Sequence, residues 1–188
     1  MHKLEALFWG ILAALAALVI EFIILIIHQS ITVQTPAVGL TYGISLAVFV
    51  EEFFKYTVIW KISLKEKSVT TVFLNAFLVG VGFSLIEIAL NILNRPDSWR
   101  TLFPAYLGLF LIHTATASIL GYYFASQKKR LLKNNILVFL LIIFWHFCFN
   151  LAVMYKISYL AIYFVLLALL ALLFLSFFKL KNSSLRSL

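Results

Sequence analysis

The chain has 188 residues, of which 64% are hydrophobic and 12% charged, with a formal net charge of +8. This composition excludes a soluble globular domain and marks an integral membrane protein, long enough for about six spans of about 20 residues with no separate soluble domain. The basic residues fall in loops between apolar runs, where they set orientation rather than bind nucleic acid, and Cys148, the single cysteine, excludes an intramolecular disulfide.

The first expected span runs from about Ala6 to Ile27 and is too long for a cleavable signal segment, so it is read as a retained helix. Ala13, Ala14, Ala16 and Ala17 give it a surface for close helix contact, and Glu21 is its one charge within the span. Glu21 is read mainly as an interhelical contact or a cavity lining, and His28 as interfacial. After an uncharged linker, Pro36 is a suitable first-turn residue for a second span, Ala37 to Trp60. That span carries Glu51, Glu52 and Lys55. An Asp or Lys at the bilayer centre costs roughly 2.5 to 3.5 kcal/mol, and a Glu should be comparable, so adjacent carboxylates there need polar partners. Lys55 follows Glu51 by four residues and Glu52 by three, both good pairing distances on a helix.

A third span, Val69 to Leu93, places Gly80, Ser84, Glu87, Asn91 and Asn94 on one stripe, which should face protein. A loop containing Pro96 leads to the fourth span, Leu102 to Ala125. There His113 is followed at steps of four by Ala117 and Gly121, a small-residue row. The fifth span, Asn135 to Tyr155, carries His146 and Asn150 on one face. The sixth, Ile157 to Phe178, has no charge and reads as a packing helix. The expected architecture is all-α, one transmembrane domain over 1–188 with a motif-bearing core at 37–155.

Eleven basic residues, among them Lys3, Lys61, Lys65, Lys67, Lys128, Lys129, Arg130 and Lys133, would lie on one side, against Arg95, Arg100 and Lys156 on the other. This asymmetry predicts that both termini are cytoplasmic.

Glu-Glu-x-x-Lys at 51–55, Phe-x-x-x-Glu at 83–87, the lone His113 and His-x-x-x-Asn at 146–150 resemble, in order and spacing, the four motifs of the PrsW family. These proteins are similar to the type II CAAX prenyl endopeptidases, in which a histidine replaces the second-motif glutamate and an arginine follows the paired glutamates. The resemblance implies a prokaryotic cell-membrane protease acting on membrane-protein substrates, as PrsW acts on an anti-sigma factor at the outer side of its span.

Peptide hydrolysis within a membrane needs water, a base and donors for the oxyanion. The reading of the site makes Glu51 the base, with either paired glutamate eligible, and Glu52 and Lys55 its electrostatic support. Glu87 and His113 position water, and His146 with Asn150 stabilise the oxyanion. No cofactor is required by this scheme. A second version has Glu and His residues hold a divalent metal such as zinc; it ranks lower because no helical His-Glu-x-x-His is present. The aspartyl type fails because Asp97, the only aspartate, is in a loop, and Gly82-Phe83-Ser84-Leu85 does not complete a rhomboid-like motif. Cys148 reads as packing.

Other classes remain in view. A transporter or proton relay also uses intramembrane Glu and His, although no internal repeat is evident. A catalytically inactive scaffold would lose its glutamates, as a related γ-secretase subunit has, and a purely structural ion-pair network would need fewer acids than Glu51, Glu52 and Glu87 beside Lys55. The sequence does not specify the substrate, the cleavage site or the oligomeric state.

Overall fold

The computed structural model describes residues 3–31, 36–66, 68–94, 99–127 and 132–155, together with 167–169, 171–172 and 175. They form five helices: α1 (Lys3–Ile31), α2 (Pro36–Lys65), α3 (Val69–Asn94), α4 (Trp99–Ser126) and α5 (Leu132–Met154). The expected sixth span lies almost entirely outside the described residues, as do Arg95, Asp97, Lys128 to Arg130, Lys156 and the side chain of His28. Helices satisfy their backbone groups internally, which is what an apolar chain in lipid requires. Ser68 accepts a hydrogen bond from the Thr71 amide at 3.4 Å, a cap at the start of α3. α2 begins at Pro36, where the missing amide hydrogen costs nothing.

Among the described residues, four helices contain segments long and apolar enough to cross a membrane: Lys3–Ile27, Val69–Leu93, Phe103–Ser126 and Asn135–Met154. α2 is not among them, although at 30 residues it is the longest. The side chains of α2 are described only from Gly43 on, and every 18-residue window from there to Lys65 contains Glu51, Glu52 and Lys55, whereas a window such as 37–54 holds only the two glutamates. α1 and α4 exceed their expected limits, running to Ile31 and starting at Trp99.

Close backbone packing fixes the arrangement of α1, α3 and α4. A Cβ on Gly80 would stand 2.5 Å from the His113 carbonyl oxygen and 2.7 Å from Thr114 Cα, so only glycine allows this approach. Gly10 and Gly82 serve the α1–α3 contact in the same way, and Gly121 meets Ala76 across the α3–α4 contact. The small-residue row thus faces α3, and Ala13, Ala14 and Ala17 are buried with Val50 and Phe83. Phe8, Phe22, Leu137 and Phe144 are exposed on the outside of the bundle, a surface suited to lipid.

Helices successive along the chain alternate in direction, so α1 and α3, which pack closely, run parallel. Glu5 and Lys65 meet at one end of the α1–α2 pair, and Glu21 and Glu51 line one cavity further along it. At about 1.5 Å per residue, Glu51 is about 21 Å from the Lys65 end of α2, His113 about 20 Å from the Ser126 end of α4, and His146 about 21 Å from the Leu132 end of α5. Glu87 and Glu21 are each about 27 Å from the starts of α3 and α1. The extension of α2 to Lys65, beyond the expected Trp60, brings its glutamates to the depth of the histidines.

Candidate active site in the bundle interior

Lys55, Glu52, His113 and His146 have no solvent-exposed surface. An ammonium can be held there only if its donors find acceptors. Nζ of Lys55 donates to Oε1 of Glu52 at 2.5 Å, to Nδ1 of His113 at 2.8 Å and to Oγ1 of Thr116 at 3.4 Å. It also lies 4.9 Å from the centroid of the Phe83 ring, a cation–π contact. Phe83 in turn packs on His113, with ring centroids 4.9 Å apart. Of the two glutamates spaced to pair with Lys55, Glu52 is the one joined to it.

Oε1 of Glu52 also accepts from Nδ1 of His146 at 2.7 Å and from Oγ1 of Thr116 at 3.5 Å. These bonds orient both imidazoles. With Nδ1–H of His146 on a carboxylate, its Nε2 is turned away from Glu52. With the ammonium on Nδ1 of His113, that ring carries its proton on Nε2 and donates it to Oε2 of Glu87. The two imidazoles meet edge to face, with centroids 4.9 Å apart.

Glu51 faces the same space with a different environment. It is 8% exposed, and its Oε2 is 3.6 Å from Nε2 of His146. This is too long for a direct hydrogen bond. Neither atom has a hydrogen-bond partner, so the pair is spaced to share a third group. Glu51, His113 and His146 each offer a donor atom within 4.8 Å of the others. A carboxylate with two imidazoles is a donor set found in catalytic zinc sites, and Glu52 on the far nitrogen of His146 is a typical outer-shell support. The free Oε2 of Glu51 and Nε2 of His146 fit a cation directly, whereas either nitrogen of His113 would first have to leave Lys55 or Glu87.

Glu51 and Glu87 line a cavity of about 200 Å³ between α1, α2 and α3, walled by Ala14, Ala17, Phe83 and Leu90. Of the polar stripe on α3, Gly80 and Ser84 are buried, Glu87 is partly buried and Asn91 lies at the exposed end of the cavity. The side chain of Asn94 lies outside the described residues. Asn150 is half-buried on the His146 face of α5, and among the described residues no hydrogen bond joins it to the cluster. Cys148 is half-buried and free. Thr116 was not singled out by motif, but its position three residues after His113 puts it on the same helix face. Glu21, assigned above to contact or lining, lines the cavity.

These features define a polytopic helical membrane protein with a buried glutamate–histidine centre beside a cavity. A family model described as PrsW family intramembrane metalloprotease matches residues 2–177, and the chain belongs to the PrsW family, a family of membrane proteases. No curated protein and no solved structure matches the chain.

Proposed function

We propose that this protein is a glutamate-dependent intramembrane endopeptidase that hydrolyses peptide bonds of membrane-protein substrates. The observation that carries this reading is the facing pair of Glu51 Oε2 and His146 Nε2, 3.6 Å apart, buried and without hydrogen-bond partners beside a cavity. Glu51 takes a proton from water as the water oxygen attacks the scissile carbonyl carbon. His146, protonated and backed by the Glu52 carboxylate, donates Nε2–H to the developing oxyanion, with Asn150 a second donor on the same face. Glu87 and His113 orient the water from the α3–α4 side. The Glu51 carboxylic acid then returns its proton to the leaving amine as the C–N bond breaks.

The metalloprotease description of the family and the Glu51, His113 and His146 donor set support a divalent cation such as zinc at this position. Those three residues would hold it, and it would supply Lewis-acid polarisation of the carbonyl and a more acidic water. Glu52 and Lys55 keep the imidazoles oriented in either case. This raises the metal version above the rank that the absence of His-Glu-x-x-His gave it.

The proposal takes the chain as one transmembrane domain over 1–188, with its working core at 37–155 and both termini in the cytoplasm of a prokaryotic cell membrane. Kinship with the type II CAAX prenyl endopeptidases rests on the paired glutamates and His146-x-x-x-Asn150. A substrate of the anti-sigma-factor kind, cleaved towards the outer side of its span, fits the position of the cavity.

The test is cleavage of single-span substrates by the purified protein in lipid, beside Glu51→Gln, with and without a chelator. Wild type should cleave and the variant should not, with its fold retained. Loss of wild-type cleavage in the chelator, restored by zinc, supports the metal version; persistence removes it. Equal cleavage by the variant removes Glu51 as the base.

A further inference from the structure

The cavity beside the candidate site contains a carboxylate that the scheme above leaves without a role. Glu21 projects from α1 into the space lined by Glu51 and Glu87, and its Oε1 is buried without a hydrogen-bond partner. Glu51, more than nine-tenths buried, lines the same space, with its unpartnered Oε2 turned to His146. Among the described residues, no lysine, arginine or histidine lines this cavity; Lys55 is committed to Glu52, His113 and Thr116. Between the carboxylates the walls are aliphatic, with Ala17, Leu18 and Leu90. Such a space favours a positive charge on an apolar stem.

Spacing argues against a second metal ion. Among the described residues, the one group of three or more candidate ligands with donors within 4.8 Å of each other is Glu51, His113 and His146; Glu21 belongs to no such group. A longer, branched cation suits separated carboxylates better than a single ion, and a guanidinium has a planar fork of donors for that purpose. Glu21 is also displaced from Glu51 along the bundle by about 3 Å, away from the Lys65 end, when α1 and α2 are aligned on the Trp9–Lys61 contact. In an extended substrate at about 3.3 Å per residue, this corresponds to about one residue from the bond facing Glu51, and at most two once the length of the side chains is allowed for.

We infer that Glu21 is a specificity-determining residue: with Glu87 it receives a basic side chain, arginine or lysine, carried by the substrate within about two residues of the scissile bond on the side away from the Lys65 end. This inference rests on the protease reading and names the chemistry of its substrates. Glu21 acts in binding rather than in the chemical step, so its effect belongs in KM.

The experiment uses the full chain in lipid and a single-span peptide with one of arginine, citrulline, lysine or norleucine at each of the two positions on that side of the cleaved bond. Citrulline and norleucine keep the stem and remove the charge. Wild type should prefer arginine over citrulline, and lysine over norleucine, by about tenfold or more in kcat/KM, mainly through KM. In Glu21→Gln the ratio should fall close to one, and in Glu21→Lys a glutamate at the same position should be preferred to arginine. Because the ratio is taken within one protein, a partly unfolded variant lowers both rates and leaves it unchanged. Equal wild-type rates for arginine and citrulline, or an undiminished ratio in Glu21→Gln, overturn the inference while leaving the protease reading intact. Absence of cleavage of every peptide by wild type overturns both.

Discussion

Oε1 of Glu52 lies 2.7 Å from Nδ1 of His146, a hydrogen bond that ties α2 to α5 and shares its acceptor with the buried ammonium of Lys55. The paired glutamates therefore have different work. Glu52 is committed to holding cations and imidazoles in place, and Glu51 keeps a free oxygen towards His146. Glu51→Gln should lower cleavage by at least about 10²-fold, the scale of a lost general base, with little change in thermal midpoint. Glu52→Gln should lower both activity and midpoint, because it leaves the Lys55 charge buried without its counter-ion, a change on the order of 3–5 kcal/mol. Melting curves beside initial rates check the contrast.

The buried pair can be separated from the chemistry. Lys55→Met alone leaves the Glu52 carboxylate uncompensated and should destabilise strongly. Combining it with Glu52→Leu removes both charges and should recover most of the stability, since buried ion pairs exchange for apolar residues at little cost. Activity should stay absent, because His146 loses the acceptor on its Nδ1. A double-mutant cycle in midpoint, with cleavage measured in parallel, tests this; a double variant as unstable as the single ones would count against it.

Gly80 sets the distance at which His113 reaches Glu87. In Gly80→Ala the new methyl meets the His113 carbonyl and Thr114 Cα, backbone atoms that cannot rotate aside. The expected cost is about 1–3 kcal/mol, with a loss of activity as α4 moves from α3. Gly43→Ala is the control, since a Cβ there meets nothing within 4 Å. Thermal melts and cleavage assays on the two variants should differ clearly.

Orientation has an independent check. In a Cys148→Ala background, a cysteine replacing the exposed Lys65 should label only from the cytoplasmic side, and one replacing the exposed Leu93 only from the outside. The reverse pattern would place the Lys65 end of the bundle outside the cell.

Much of the helical layout was legible because long apolar runs leave few alternatives: α3 begins at Val69 as expected, and α2 begins at Pro36, the residue read as its first turn. Periodicity also identified the α3 stripe on which Glu87 sits. It did not show which glutamate joins Lys55, because steps of three and four are both compatible with pairing; the choice depends on how α2 is rotated towards α4 and α5. Nor did it show that Glu21 shares a cavity with Glu51, since that follows from the depth at which α1 crosses α2. Thr116 belongs to no motif, since a lone threonine in a helix is common, and only its spacing of three from His113 points to the site.

The central claim is that water, activated at Glu51, cleaves a substrate peptide bond. The most direct measurement is mass spectrometry of the products formed in ¹⁸O-water by the purified protein in lipid with a single-span substrate. The account predicts a defined internal cleavage in which the new carboxyl terminus carries a heavy oxygen, and no such product with Glu51→Gln. An unmodified wild-type substrate, or an undiminished labelled product from Glu51→Gln, would contradict it.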